Sequence, residues 1–393
     1  MPPAIRFGHL VVMPSAYALM SGADPDSALG FGVRRGDDGD VGYVDGEPGD
    51  DLMFLSAPPA EKRRFGQLGP RVVCWFGPDL KAYAVGPDAT VSAQEVGVSV
   101  IPTGRIHGER SKGILDTAAL AEKHVAVLGL GSGGSFIVRE LAHAGVGTFL
   151  LLDNERLEVG NVTRHECGLD DVGRLKVNAM TDLVRRFNPA ATVATSTTRI
   201  SGTSRLEIIE WLEKEGAELI ICATDGRESR LLANRMSLQT GLPLILGGVY
   251  RRAYGGLVQR VIPGLTACYQ CFVHGLPVEA SDTEISGARD AARYSYTDRE
   301  VEPQPGLSSD IVPIALQMVK LALLELIDDR PPAFAQLAGD LVAPLYHWIN
   351  RREFAHAEWD PLGISVDKQA ILRWYGAWLD RRDDCAACAS LPT

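Results

Sequence analysis

The sequence predicts an α/β protein: a mixed sheet flanked by helices, with a smaller α+β module ahead of it. Three observations predict it. The run His124-Val-Ala-Val-Leu-Gly-Leu-Gly-Ser-Gly-Gly134 reads as a buried strand that ends in a G-x-G-x-x-G turn. A helix and a second strand follow, and that strand ends in Asp153, about twenty residues on, as in Rossmann-like nucleotide sites. Strand and helix patterns then alternate as far as Gly241.

A chain of 393 residues is long for one domain, and its 46% apolar content suffices for full cores. Its texture divides it in two: residues 1–110 as an accessory module and 111–393 as the main domain. The net charge of −11 argues against a general nucleic-acid binder, whose phosphate-tracking surface is usually basic. No uncharged apolar stretch of about eighteen residues occurs, so no spanning helix is expected. The start, Met-Pro-Pro-Ala-Ile-Arg, lacks the apolar run of a secretory signal, and a cytoplasmic protein is expected.

In the first module, Gly, Asp and Pro cluster in Arg35-Gly-Asp-Asp-Gly-Asp and Asp45-Gly-Glu-Pro-Gly-Asp-Asp. Between such turn signals lie His9-Leu-Val-Val-Met, Leu52-Met-Phe-Leu and Arg71-Val-Val-Cys-Trp-Phe, which read as short strands. Residues 105–123 read as a connection ending in a short helix. The main domain then reads as strand 123–130, helix 134–144 and strand 148–153. The next helix, 174–187, places Met180, Leu183, Val184 and Phe187 on one face. Strand 192–198, helix 203–215, strand 218–223 and helix 228–240 follow, with Gly241 as a stop signal. Pro243-Leu-Ile-Leu and Leu257-Val-Gln-Arg-Val-Ile extend the sheet. Residues 276–306 read as a long mobile loop, and Ile311–Leu326 as a buried helix, apolar almost all round.

Gly129, Gly131 and Gly134 form the turn in which backbone amides can approach an anion closely. Alone, this turn fits a dinucleotide enzyme as well as other nucleotide binders. Asp153 either accepts hydrogen bonds from ribose hydroxyls or caps its own turn. Asn161, Arg164, Lys176 and Asp225 come next: an amide, two cations and a carboxylate, the side chains needed to handle a triphosphate and a metal. Cys268-Tyr-Gln-Cys271 and Cys385-Ala-Ala-Cys388 are two C-x-x-C pairs, which can supply four thiolates to one tetrahedral Zn²⁺. With all four positions filled, such a site is structural, and it fastens the tail to the domain.

The order Asp153, Asn161-Val-Thr-Arg164, Val172-Gly-Arg-Leu-Lys176 and Ala223-Thr-Asp225 resembles the ThiF/MoeB/HesA superfamily, ATP-dependent adenylating enzymes related to ubiquitin-activating enzymes. The resemblance covers about residues 105–350, and the C-terminal cysteines extend it. It implies an adenylyltransferase that activates a carboxylate, the C-terminus of a small ubiquitin-like or sulfur-carrier protein or of a peptide, with release of pyrophosphate. Arg164 and Lys176 would hold the triphosphate of ATP, Asn161 would orient phosphate or ribose, and Asp225 would hold Mg²⁺. A homodimer is implied, with an arginine ahead of the first strand acting across it. Arg110 is the candidate and Arg105 the alternative; the usual Arg-Gln pair is not present. His165 stands where many relatives have glutamine, and a packed, hydrogen-bonded histidine is the preferred reading over a catalytic base. The loop before the long helix carries no cysteine, so no thioester on this chain is expected. A faint likeness of the first module to metalloprotease-like JAB modules comes without their zinc ligands, and an accessory role is preferred. Two other functions remain open: a tRNA-modifying dehydratase of the same superfamily, and an NAD-dependent oxidoreductase, which leaves Arg164, Lys176 and Asp225 without a task.

Overall fold

The computed structural model describes residues 8–23, 28–36, 41–55, 72–76, 80–84, 94–101, 111–275, 306–328, 330–353 and 371–390. The chain forms two compact units, Met1–Ile106 and His107–Thr393.

The first unit is built on a mixed sheet of eight short strands: β1 (His9–Val12), β2 (Ala28–Phe31), β3 (Arg34–Arg35), β4 (Val41–Val44), β5 (Leu52–Leu55), β6 (Val72–Phe76), β7 (Leu80–Ala84) and β8 (Gln94–Val100). Their order is β2-β5-β6-β7-β8-β1-β4-β3. The three apolar runs of the sequence are β1, β5 and β6. Alternate residues point inward, so Leu10, Val12, Leu52 and Phe54 are buried while their neighbours are half-buried. Helix α1 (Pro14–Ser21) starts with proline in its first turn and adds Ala16 and Met20 to this core.

The second unit opens with the short helix α2 (Thr117–Leu120), capped by Asp116, whose carboxylate accepts from the N–H groups of Ala118 and Ala119. Strand β9 (His124–Leu128) is buried on both faces and is the middle one of five parallel strands. Then come α3 (Ser132–Ala144), β10 (Thr148–Leu152), α4 (Lys176–Phe187), β11 (Thr192–Ser196), α5 (Arg205–Lys214), β12 (Leu219–Cys222), α6 (Arg227–Thr240) and β13 (Leu244–Val249). Strands β9 to β13 are parallel, in the order β11-β10-β9-β12-β13. Helices α3 and α6 stop at Gly145 and Gly241, both in the left-handed region.

Beyond β13 the sheet becomes antiparallel, through β14 (Gly255–Val261), β15 (Leu345–Ile349) and β16 (Arg373–Ala377). Helix α7 (Tyr269–Gly275) follows β14, and the apolar α8 (Ser308–Leu326) packs against α3, β13 and β14. Gly247 and Gly256 admit that helix: a Cβ would come within 2.3 Å of Met318 at the first and of Ile314 at the second. Helix α9 (Pro332–Asp340) completes the described elements.

The observed architecture is the mixed α/β arrangement that the sequence predicts. Three helix starts lie earlier than expected: α3 at Ser132, because Gly131 serves as its N-cap, α6 at Arg227 and α8 at Ser308. Strands β15 and β16 are additions. Of the segment read as a long loop, residues 276–305 lie outside the described residues. Strand order reverses between β9 and β12, which opens a crevice at their C-terminal ends, where open α/β sheets bind ligands.

Candidate functional site

The glycine turn sits in that crevice. Gly129 has a φ of +90°, and a Cβ there would lie 2.9 Å from Thr224 Cγ2. Glycine therefore lets the turn after β9 touch the turn after β12. A Cβ on Gly134 would lie 1.9 Å from the carbonyl oxygen of Gly129, so the helix can enter this closely only with glycine at that place. Gly131 differs: a Cβ there meets nothing within 4 Å. Its side of the turn is open, and α3 begins beside it without a side-chain cap.

Asp153 follows β10 and is buried. Its Oδ2 accepts from the Leu130 N–H at 2.7 Å and its Oδ1 from the Glu155 N–H at 2.8 Å. It thus caps its own turn and grips the glycine turn, and each oxygen keeps a lone pair for a further donor. Burial pushes its carboxyl up from the usual range, against the opposing pull of Lys176 and the two backbone N–H groups.

His165 is buried as well. Its Nε2 lies 2.8 Å from the carbonyl oxygen of Leu130, and its Nδ1 accepts from the Cys167 N–H at 3.0 Å. Burial pushes the imidazole down, toward the neutral form. Asp153 and His165 therefore hold both polar groups of Leu130.

The loop between β10 and α4 carries the other residues. The side-chain oxygen of Asn161 accepts from the Glu158 N–H at 3.0 Å in a capping box. Arg164 is half-buried, one residue from His165, with its N–H bonded to the Asn161 carbonyl at 2.9 Å. Lys176 opens α4, and its ammonium group pairs with the carboxylate of Glu155. The lysine is nearly buried, with a side chain 6% exposed, whereas that of Glu155 is 60% exposed. The pair thus puts a fixed positive charge inside the crevice and its counter-charge at the rim. Glu155 thus clamps Lys176.

Asp225 follows β12 and is exposed. Behind it lies Arg230, 1% exposed, whose Nε donates to the Thr224 carbonyl at 3.1 Å and Nη2 to the Asp225 carbonyl at 3.3 Å. A Cβ on Gly248 would lie 2.5 Å from that Nη2, so glycine on β13 makes room for the guanidinium. No sequence signal marks a burial that depends on a glycine eighteen positions away. Arg110 and Arg105 lie outside the described residues.

Residues 108–352 match the ThiF family. The chain belongs to the ThiF family. It is similar to ubiquitin-like modifier-activating enzyme 5 of Oryza sativa subsp. japonica, at 27% identity over 179 residues, 43% of this chain and 42% of that protein. The enzyme of the same name from Arabidopsis thaliana is 28% identical over 182 residues, again 43% and 42%. The chain thus spans about two-fifths of the length of these curated relatives. Among solved structures it resembles E. coli MccB with MccA-N7isoASN, at a TM-score of 0.50 and 17% identity, covering 70% of this chain and 69% of that one. The microcin C7 biosynthetic enzyme MccB in complex with N-formylated MccA gives 0.50 and 17%, covering 69% of each. These likenesses show a shared fold.

The ThiF unit has a second cluster. Cys268 and Cys271 follow β14, and Cys385 and Cys388 follow β16; both strands end at the sheet edge opposite the glycine turn. The four sulfurs lie within 4.8 Å of one another, with Cys268–Cys271 at 3.8 Å, Cys268–Cys385 at 3.7 Å and Cys271–Cys388 at 3.5 Å. A zinc ion with Zn–S bonds of ~2.3 Å requires sulfurs about 3.8 Å apart. All four cysteines are buried. Burial pushes the thiols of Cys268 and Cys388 up, that of Cys388 to about 11. A cation is what makes four thiolates tolerable there. Arg381 ties the tail down as well, donating to the carbonyls of Gly264 and Cys388.

The other three of the seven cysteines, Cys74, Cys167 and Cys222, are buried too. Burial pushes Cys74 and Cys167 up to about 12, far from a reactive thiolate.

Among the described residues no helix is long and apolar enough to cross a membrane.

Proposed function

We propose that this ThiF protein is an ATP-dependent adenylyltransferase that activates the C-terminal carboxylate of a small ubiquitin-like or sulfur-carrier protein or of a peptide. The observation that carries this reading is the convergence on one crevice of the glycine turn, Asp153, the Lys176–Glu155 pair and Asp225, from loops after three neighbouring strands. The names of its relatives, a ubiquitin-like modifier-activating enzyme and a peptide-bound MccB, support the acceptor class.

In the reaction a carboxylate oxygen attacks the α-phosphorus of ATP. A new P–O bond forms, the bond to the bridging oxygen breaks, and pyrophosphate leaves with the electron pair. An acyl-adenylate remains. Positioning and charge neutralisation dominate such chemistry. The backbone amides around Gly131 would receive phosphate oxygens, Asp153 the ribose hydroxyls, and Asn161 a phosphate or ribose oxygen. Lys176 and Arg164 would offset the charge that grows on pyrophosphate. Glu155 holds the lysine in one position, so little reorganisation is needed at the moment of reaction. An Mg²⁺ ion would rest on the exposed carboxylate of Asp225 and on phosphate oxygens, as this hard cation prefers, and supply further neutralisation.

With all seven cysteines buried, the reading ends at the adenylate, without a thioester on this chain. The four-cysteine cluster would hold structural Zn²⁺. In a homodimer Arg110 or Arg105 would complete the neighbouring site.

Pyrophosphate exchange into ATP, measured with carrier proteins and peptides that end in a free carboxylate, tests the proposal. Exchange that depends on such an acceptor and disappears in Asp225→Ala supports it. Calorimetry that finds NAD bound and ATP with Mg²⁺ unbound would refute it. A shift of tRNA at moderate salt, without acceptor-dependent exchange, would point to the tRNA-modifying reading.

A further inference from the structure

The three glycines do not by themselves fix which way the amides of their turn point. Each peptide plane of the turn can rotate, and glycine makes rotation easy. Two side chains remove that freedom. Asp153 Oδ2 takes the Leu130 N–H at 2.7 Å, and the imidazole of His165 lies 2.8 Å from the Leu130 carbonyl. In a trans peptide the carbonyl and the next N–H point in opposite directions. A Leu130 carbonyl held by His165 therefore turns the Gly131 N–H the other way. A Cβ on Gly131 meets nothing within 4 Å, so that residue borders open space.

The tautomer follows from the second contact. Cys167 donates its backbone N–H to Nδ1 at 3.0 Å, so Nδ1 is the acceptor and the proton resides on Nε2, where it serves Leu130. The same segment is hooked to α3 twice more. The Glu166 N–H donates to Ser135 Oγ at 3.3 Å, and the Glu166 carboxylate pairs with Arg139.

We infer that His165 is a positioning residue of the nucleotide site, which as the neutral Nε2–H tautomer holds the Leu130 carbonyl and so aims the Gly131 N–H at a phosphate oxygen of ATP. The inference rests on the nucleotide reading above and adds a residue and a pH dependence to it. Protonating the ring puts a hydrogen on Nδ1, against the Cys167 N–H, and leaves that buried donor without its acceptor. The groups that face the ring are Lys176 on α4, Asp171 in the preceding loop and Asp153 across the Leu130 peptide, with the Glu166–Arg139 pair beside it. Burial and Lys176 favour the neutral ring, whereas the Leu130 carbonyl and Asp171 favour the charged one. Nucleotide affinity is then full at neutral pH and falls as acid protonates the ring.

The test compares the wild-type chain with His165→Gln and His165→Leu. A glutamine amide can donate to Leu130 and accept from Cys167, and it does not titrate. ATP with Mg²⁺ is titrated calorimetrically from pH 8 to pH 5, and the imidazole nitrogens are read by long-range ¹H–¹⁵N spectra of the full chain. At pH 7.5 the Gln variant should bind within about threefold of wild type and the Leu variant at least tenfold more weakly, as for a lost buried hydrogen bond. The ratio of wild-type to Gln affinity, which cancels the titration of ATP itself, should fall about tenfold toward pH 5, because the protonated Nδ1 no longer accepts from the buried Cys167 N–H and the ring is pushed off its place against Leu130. A Leu variant that binds ATP as wild type does, a ratio flat with pH, or a proton on Nδ1 at neutral pH would each overturn the role of His165. Should the Leu variant not fold, the ratio and the spectrum decide. A wild-type chain that binds no ATP overturns the nucleotide reading and this role with it; binding that the substitutions leave unchanged overturns this role alone.

Discussion

The two clusters at opposite edges of the ThiF sheet are built by opposite rules. At the glycine turn the proposed ligands are mainly backbone amides, in a turn gripped by Asp153 and His165 and open beside Gly131. At the cysteine cluster the candidate ligands are four side chains, buried and turned on one another. An open, pre-aimed site can take and release a substrate. A closed site with its donors exhausted can only hold. Chemistry and stability are therefore expected to separate between the two edges, and substitutions should move one without the other.

The largest effect is expected at the closed site. Zinc binding is folding free energy, on the order of 10 kcal/mol for structural sites, and three thiolates retain little of it. Cys385→Ser should reduce metal content from one zinc per chain to near zero and lower the thermal midpoint by many degrees. Metal analysis and calorimetry check this. Below the new midpoint, pyrophosphate exchange per folded molecule should stay near the wild-type rate. An exchange rate that collapses with the zinc while the protein stays folded would break the separation.

Lys176→Ala is the converse. It should lower exchange about 10²–10³-fold, the usual cost of one fixed donor to a developing charge. Zinc content should not change. The thermal midpoint should hardly move, because the partner carboxylate of Glu155 is 60% exposed and water can take over its charge. Lys176→Arg should be a poor rescue, since a planar guanidinium on a longer stem does not place its charge where the nearly buried ammonium sits against Glu155.

Much of this arrangement was legible in the sequence, and the limits are physical. The parallel half announces itself because its inner strands β9, β10 and β12 are short, almost wholly apolar runs, and the glycines of the turn fall where the chain must leave β9. The C-x-x-C pairs are legible for a similar reason: spacing alone decides what two thiolates can share. Strands β15 and β16 were not legible. Leu345-Tyr-His-Trp-Ile349 is preceded by Pro344, but it is short and buried on both faces, so no alternation sets it apart from the apolar residues around it. Nor could spacing reveal that Glu155 clamps Lys176 across a twenty-residue loop, or that Gly248 houses Arg230, because both depend on how distant segments meet.

Within the open site the glycines themselves divide the two properties. Gly134→Ala would set a Cβ 1.9 Å from the Gly129 carbonyl, which cannot yield without moving the turn. Overpacking of this kind costs roughly 3 kcal/mol. Stability and ATP affinity should fall together, as seen by calorimetric melting and nucleotide titration.

Gly131→Ala should have the smallest effect and tell the most. Its φ of −70° suits any residue, and the added methyl meets no atom of the described residues within 4 Å. No described residue opposes it, and alanine restricts the unfolded chain more than glycine does, so the thermal midpoint should hold or rise slightly. If the open space beside Gly131 is where a phosphate oxygen sits, the methyl intrudes on the nucleotide alone. ATP affinity should then drop about tenfold, about 1.4 kcal/mol, while zinc content and melting stay put. Equal ATP affinity in the two proteins would move the phosphate away from this amide, and with it the reason that the turn is held from both sides.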